Sequence, residues 1–421
     1  MTKLLYIGDY SNTGFGAVSK GLLRELSKDP EYQILQFGIN YRDLQDFDEP
    51  WNIVPAGYTR FDGKRLWSDD AYGFTRISHF LRKFDPDIVF INNDYPVAVN
   101  YMVDVDGSPT PLAQHRSLKI LYAPIDSEPV PPEYAEIAKM FDLNIAYTHW
   151  QRAMMAEHDP LFQLMPVLYH GYNPDVYFPM DKKEAKAKLV DIIAGKLSDG
   201  ARPFIEQRIL DTFLVYYLGT NQFRKDIPCL FRAFAKLHEE YPDTALLPQT
   251  EMAPMGYNGW NLKNLQHLTG VKNAIMMGTA DVFNEEEMNI IMNAADVLAY
   301  PTRGEGFGLP SFEAMAVKTP VVVTGYAASH ELHKNGRGYF IEMLDVIPKD
   351  IEASSYLALP DHRSLYKWLK HVHNDPQDAT EKAETAYKWV QAYTWPNQAK
   401  QLKEIFSRLP KVEDASNVQS D

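Results

Sequence analysis

The chain has 421 residues, 45% of them apolar and 23% charged, and a formal charge of −14. That length predicts two domains, because single cores stop growing at roughly 250 to 300 residues. The balance excludes a low-complexity chain, and the acidity argues against a broad electrostatic footprint on nucleic acid or anionic membrane.

From the N-terminus, Lys3–Gly8 reads as a strand, Asp9–Gly16 as a polar turn, and Ala17–Ser27 as a helix by its apolar spacing. Strand, glycine turn and helix in that order form the phosphate-binding half of a doubly wound sheet. Gly14-Phe15-Gly16 lacks the third glycine of the dinucleotide fingerprint, so the turn is either phosphate-facing or simply tight. Short apolar strands at Gln33–Gly38, Asp87–Ile91, Leu118–Tyr122 and Leu143–Tyr147 alternate with helical intervals, which predicts an α/β fold with a mainly parallel sheet. Ligands of such sheets bind beyond the carboxyl ends of the strands, so Asp126, following Tyr122, and His149, following Tyr147, are candidates. An Asx-turn at Asp126 and a helix start at His149 are the structural alternatives. Asp104-Val105-Asp106-Gly107 has the look of a metal site but ends in a Gly-Ser-Pro turn, and reads as a surface turn.

Pro166–Pro179, bracketed by glycine and proline, is the expected linker, and the lysine-rich stretch Asp181–Ala194 is expected to be a solvated helix. Thr212–Gly219 is a strand, Thr220–Asp226 a polar turn with adjacent Arg224 and Lys225, and Ile227–Glu240 a helix. Cations at a helix start oppose the dipole, whereas a guanidinium fork beside an ammonium suits a diphosphate; a solvated basic turn is the alternative. The only cysteine, Cys229, falls in that helix and reads as a small buried apolar residue; one cysteine also excludes an intrachain disulfide. Further strands are expected at Thr244–Gln249, Ala274–Gly278, Asp296–Pro301 and Val321–Gly325, and a helix at Glu285–Ala295.

After Pro301 comes the run Arg303-Gly304-Glu305-Gly306-Phe307-Gly308-Leu309-Pro310-Ser311-Phe312-Glu313. Its glycines let backbone approach a ligand, Pro310 can start a helix, and the helix N-terminus favours an anion. Glu313 is expected in the first helical turn, where it either binds ligand or complements the dipole. Glu305 lies outside the helix, between glycines, where the dipole gives no reason for an acid. Carboxylates beside a bound phosphate call for hydroxyl partners, as on a sugar or ribose. The N-terminal strand is too short for a signal sequence and no apolar run approaches the roughly 20 residues of a membrane span, so a cytoplasmic location is expected.

Glu305 through Pro310 with Glu313-Ala314-Met315-Ala316 resembles the Glu-x7-Glu signature of retaining, nucleotide-sugar-dependent glycosyltransferases of family 4. Their GT-B fold consists of two Rossmann-like doubly wound domains facing across a cleft. The resemblance extends over most of residues 3 to 406 and is strongest in the second half. It includes Asn221 with Arg224-Lys225, His170-Gly171, Asn173, Phe178-Pro179, and a closing helix in Tyr393–Phe406. It implies an N-terminal acceptor domain of residues 1–172 with a return helix at 395–410, a donor domain of 173–394, and a flexible tail at 411–421.

The implied activity is transfer from a nucleotide-diphosphate sugar, such as a UDP- or GDP-sugar, without metal or other cofactor. Glu305 would orient the sugar hydroxyls and Glu313 the ribose. Arg224, Lys225 and the backbone of Gly306, Phe307, Gly308 and Leu309 would hold the diphosphate, with Gly14 and Gly16 reaching the donor phosphates. Asp126 resembles a position near the reacting carbon where many members carry histidine, and His149 and His170 are candidate contacts to sugar or acceptor. The catalytic set is then Glu305, Asp126, Arg224 and Lys225. The acceptor stays open among glycan, lipid-linked, protein, small-metabolite and modified nucleic-acid hydroxyls. Acidity disfavours the last, although Arg42, Arg60, Lys64 and Arg65 would form a local basic group; a peripheral membrane contact is also left open. The rivals are a sugar-nucleotide epimerase or hydrolase of the same fold, and a silent sugar-nucleotide-binding subunit that should have lost Arg224, Lys225 or Glu305.

Overall fold

The computed structural model describes residues 1–41, 47–61, 64–67, 70–197, 200–254, 258–276, 283–349 and 354–410, with side chains at 58–61 and 64–67 excluded. Arg42, the side chains of Arg60, Lys64 and Arg65, and the tail from 411 therefore lie outside the described residues. The chain forms two compact units: Met1–Ile125 with Val130–Gly171 and the segment from Trp395, and Asp126–Pro129 with Tyr172–Thr394. The four residues Asp126–Pro129, expected with the N-terminal domain, group with the second unit.

The first unit is built on six parallel strands in the order Asn52–Pro55, Tyr32–Ile39, Thr2–Asp9, Ile88–Asn92, Leu118–Tyr122, Leu143–Ile145. The expected strands are all present, and the four-residue Asn52–Pro55, too short to signal itself, is added at the edge. Leu4, Leu5, Ile7, Val89, Phe90 and Ile91 are completely buried, as strands covered on both faces require. The helix Gly14–Leu26 starts earlier than its apolar spacing suggested, because Thr13 caps it by accepting from the Gly16 N–H at 3.1 Å. Gly14 and Gly16 thus occupy its first turn rather than a preceding loop. The closing helix Trp395–Ser407 packs in this unit, and a Cβ at Gly21 would lie 2.2 Å from the Trp395 ring.

The second unit has five parallel strands in the order Thr244–Gln249, Phe213–Leu218, Val297–Tyr300, Val321–Thr324, Tyr339–Ile341. A separate antiparallel hairpin, Met343–Pro348 with Tyr356–Pro360, follows. The strand expected at Ala274–Gly278 amounts to one bridge, Ala274 with Leu246, and its last two residues lie outside the described set. Tyr216, Tyr217, Phe231, Phe234, Leu298 and Phe312 are fully buried; each such side chain contributes about 1.5–3 kcal/mol on transfer from water. The helix Lys182–Lys196 is not simply solvated. It buries Ala185, Leu189, Val190 and Ile193, and Lys186 turns inward to pair with Asp296 at 2.8 Å. No helix among the described residues is long and apolar enough to cross a membrane.

Candidate functional site

In the second unit the strand order reverses at Phe213–Leu218, which lies between the edge strand Thr244–Gln249 and Val297–Tyr300. At such a reversal the loops leaving neighbouring strands diverge and open a site beyond their carboxyl ends. The two loops that leave there carry Arg224-Lys225 and Gly304-Glu305.

The first loop is braced by Asn221, whose buried amide donates to the carbonyls of Glu251 (2.9 Å) and Trp260 (2.6 Å) and accepts from the Trp260 N–H (2.8 Å). Phe223–Lys225 make one tight helical turn, ended by Asp226 in the left-handed region at φ 41°. Aspartate tolerates that conformation better than most residues. Its carboxylate also caps the helix Ile227–Glu240, accepting from the Cys229 N–H at 3.3 Å, with Pro228 in the first turn. Cys229 is buried, as expected.

Backbone, ring and ionic contacts join the two loops. The Arg303 N–H donates to the Arg224 carbonyl at 2.7 Å. Arg303 Nε donates to Asp226 Oδ2 at 2.9 Å, with its guanidinium 3.9 Å above the Phe223 ring. Glu305 Oε1 accepts from Lys225 Nζ at 2.5 Å and Arg224 Nη1 at 3.0 Å. Arg224 Nη1 further donates to the Gly304 carbonyl at 3.0 Å, and Lys225 Nζ to the Tyr300 hydroxyl at 2.8 Å. The Lys225 and Glu305 side chains are each 7% exposed and Arg224 32%, so a buried carboxylate is covered by one buried and one half-buried cation. Of the two cations, Arg224 keeps the more surface to offer an anion.

Burial opposes the charge on Glu305, but the charges and bonds of Arg224 and Lys225 outweigh it and hold its carboxyl below the usual range. Lys225 is pulled down to about 8, by burial first and by Arg224 second, against Glu305. Arg224 stays fully charged: burial pulls it down, and Glu305 and Asp126 more than compensate. Two buried groups here have no hydrogen-bond partner among the described residues, Arg303 Nη1 and the Tyr217 hydroxyl. Glu305 and Arg224 are the strongest charges acting on Tyr217. Both groups can donate to ligand oxygens.

Gly304 and Gly308 meet separate requirements. A Cβ at Gly304 would lie 2.1 Å from the Asp126 carbonyl, so only glycine lets the Asp126 segment pass. Gly308 has φ 94° and precedes the helix Leu309–Ala316, with Pro310 in its first turn. Gly306, Phe307, Gly308 and Leu309 are all buried at that helix start, where leading N–H groups lack intrahelical acceptors.

Glu313 falls in the second turn of this helix, not the first as expected, because the helix begins at Leu309. The dipole explanation fails with it. Burial, with Glu285 adding to it against the Tyr177 hydroxyl, pushes the Glu313 carboxyl up to about 8. Its neighbourhood is therefore separate from the two cations that govern Glu305. Asp126 does join the cationic group: burial opposes its charge, and Lys349 and Arg224 hold it below the usual range.

The first unit's candidates are arranged differently. Asp9 ties down its turn, accepting from Ser11 N (2.6 Å), Ser11 Oγ (2.7 Å), Thr13 Oγ1 (2.8 Å) and Asn40 Nδ2 (3.1 Å). A Cβ at Gly16 would be 1.8 Å from the Ser11 carbonyl, whereas one at Gly14 would meet nothing within 4 Å. A packing constraint accounts for Gly16, and Gly14 is open to approach. His149 is exposed at the first position of the helix His149–Ala156, which Thr148 caps by accepting from Gln151 N at 3.1 Å. His170, expected as a ligand contact, is instead an interior residue, 3% exposed between Tyr122, Tyr147 and Trp395. Its Nδ1 lies 2.8 Å from the Tyr122 hydroxyl, which donates to the Leu168 carbonyl at 2.7 Å. Burial pushes it down to about 3, so it is neutral. Asp104-Val105-Asp106-Gly107 is an exposed turn, with Gly107 N donating to the Asp104 carbonyl at 2.9 Å. Among the described residues no group of three or more metal-ligating side chains occurs.

Sequence reasoning missed Tyr300, Arg303, Tyr217 and Lys349 as members of the cluster. Tyr300 could have been found, since it ends a strand that runs into the glutamate loop. Lys349 gave no local signal at all.

Residues 212–354 match the family described as glycosyl transferases group 1. The chain is 29% identical over 211 residues to a D-inositol 3-phosphate glycosyltransferase of Corynebacterium urealyticum, covering 48% of this chain and 44% of that one. It is 26% identical over 246 residues to an uncharacterized glycosyltransferase of Methanocaldococcus jannaschii, covering 57% and 53%. The chain thus spans about half the length of these curated relatives. Among solved structures, sucrose-phosphate synthase from Thermosynechococcus elongatus superposes with a TM-score of 0.70 at 15% identity, over 97% of this chain and 99% of that one. Anabaena HepE in complex with UDP-glucose gives 0.71 at 15% identity, over 97% and 100%.

Proposed function

We propose that the chain is a retaining glycosyltransferase using a nucleotide-diphosphate sugar, a reading supported by the match of residues 212–354 to the glycosyl transferases group 1 family and by the GT-B fold. The observation that carries the reading is the buried Glu305 carboxylate, bound by Arg224 and Lys225 at the strand reversal. A purely structural ion pair needs one cation; a second, half-exposed one retains charge for an anionic leaving group.

In this reading Arg224, the ammonium of Lys225 and the helix start at Gly306–Leu309 take the diphosphate, and Glu305 and Asp126 accept hydrogen bonds from the hydroxyls of the sugar. Transfer forms a bond from the acceptor hydroxyl oxygen to the anomeric carbon and breaks the bond from that carbon to the diphosphate oxygen. The acceptor proton passes to the leaving phosphate oxygen, on the same face of the sugar, so no side-chain base is required. Charge growing on the diphosphate is met by cations already in place, the contribution that commonly dominates transfer chemistry. Glu313, nearly neutral at physiological pH, can donate as well as accept toward a ribose hydroxyl. UDP is the first base to test, because one structural neighbour was solved with UDP-glucose.

A thermal-shift panel of UDP, GDP, ADP, TDP and CMP with their common sugars tests the reading. A ligand at 100 times its dissociation constant stabilises the fold by about 2.7 kcal/mol, so selective stabilisation by one diphosphate and its sugars is expected. No shift with any of them overturns the donor-site assignment.

A further inference from the structure

The hairpin Met343–Pro348/Tyr356–Pro360 does little for the core along its first strand, where Met343, Leu344 and Val346 are 45%, 51% and 42% exposed. Its bonds run to the Asp126 segment and the Glu305 loop. The Tyr356 N–H donates to the Glu128 carbonyl at 2.9 Å. Tyr326 clasps the same junction, its hydroxyl accepting from Glu128 N at 2.9 Å and donating to the Tyr356 carbonyl at 2.6 Å. Ser127 and Ser355 hydroxyls lie 3.1 Å apart, both buried. From the hairpin's far strand, the Ala358 N–H donates to the Arg303 carbonyl at 2.8 Å, next to the Gly304 that touches Asp126.

Lys349 stands just beyond the hairpin's first strand. Its N–H donates to the Ser355 carbonyl at 3.0 Å, and its Nζ reaches Asp126 Oδ1 at 2.7 Å and Ser127 Oγ at 3.4 Å. Asp126 therefore has one carboxylate oxygen taken by an ammonium that arrives from 223 residues along the chain. The other charged or titratable groups acting on or through it are Arg224, Lys225 and Tyr326.

We propose that Lys349 is a positioning residue, delivered by the hairpin, that fixes the orientation and negative charge of Asp126 at the sugar end of the donor site. The inference rests on the donor-site reading above. Asp126 touches the sugar; Lys349 acts through it and the hairpin sets where it stands. The pair is partly buried, 28% exposed for Lys349 and 20% for Asp126, so the parent diphosphate, which Lys349 does not contact in this reading, serves as the control for an intact fold.

The test uses calorimetric titration of the full chain and its Lys349→Met and Lys349→Arg variants with UDP-glucose and UDP, and with GDP-mannose and GDP, from neutral to acid pH. For the sugar nucleotide that the unaltered chain binds, Lys349→Met is expected to lower affinity about tenfold, equivalent to one pK unit of differential interaction. Affinity for the parent diphosphate stays within about twofold, inside the error of small contacts. Removing the cation raises the Asp126 pKa, so binding is lost at a higher pH, by about one unit. Lys349→Arg restores both. Equal losses for sugar nucleotide and diphosphate, or an acid limb that does not move, overturn the inference while leaving the donor site standing. Failure of the unaltered chain to bind these four or any other member of the nucleotide panel above overturns the donor-site reading and the inference with it.

Discussion

The carboxyl ends of the two sheets use opposite chemistry although both sheets are parallel. In the first unit, Tyr6, Asn92, Tyr122, Tyr147 and His170 form a buried, neutral network, with Asn92 donating to Tyr6 at 2.9 Å and accepting from Tyr147 at 2.8 Å. In the second, Arg224, Lys225, Asp226, Arg303 and Glu305 form a buried, ionic one. Neutral hydrogen bonds satisfy one another and leave no field for a ligand; paired charges in a low-dielectric interior do. A sheet's topology therefore locates a site without deciding whether it can hold an anion.

That contrast can be broken most sharply at Glu305. Glu305→Ala leaves Lys225 buried beside Arg224 without the carboxylate that both cations bind, and breaking a buried pair in this way costs about 3–5 kcal/mol in other proteins; thermal unfolding should report a loss approaching that size, with Asp126 as the remaining counter-charge. Glu305→Gln keeps an acceptor, and is expected to lower turnover far more than nucleoside diphosphate affinity; equal losses remove Glu305 from the sugar. Next in size, Arg224→Ala should weaken nucleoside diphosphate binding by about 1.5–3 kcal/mol, as for a hydrogen bond to a charged group. Unchanged affinity by calorimetry takes it out of the site.

The neutral network offers the smallest effect. His170 has a folded pKa of about 3, below its unfolded value, so the unfolded chain binds the proton first as pH falls. Its contribution to stability is full above roughly pH 6.5, the ordinary histidine value, and is lost on acidification towards its folded value. His170→Asn should flatten the acid slope of unfolding free energy by about 1.4 kcal/mol per pH unit in that window. An unchanged slope would show that His170 is not the neutral interior group described here.

Much of this was legible in local pattern. Apolar runs bounded by glycine and proline marked the central strands in both units, and Arg224-Lys225 and the glycine-flanked Glu305 stood out because each sits where backbone alone offers no reason for a charge. The misreadings share a cause. His170 carried a family-like Gly neighbour, yet its burial depends on Tyr122, Tyr147 and Trp395 from three other parts of the chain. Glu313 looked like a first-turn acid until Gly308 at φ 94° set the helix start. Asp181–Ala194 looked solvated because its lysines are frequent, although Lys186 pairs inward with Asp296.

By itself, then, the sequence determined the two parallel sheets and the loops that leave their carboxyl ends, since period and turn chemistry act over a few residues. Tertiary structure alone decided which charges meet. Lys225 and Glu305 are 80 residues apart and Asp126 and Lys349 are 223 apart. No local preference records such a pairing, because its energy exists only once folding has removed both groups from water together.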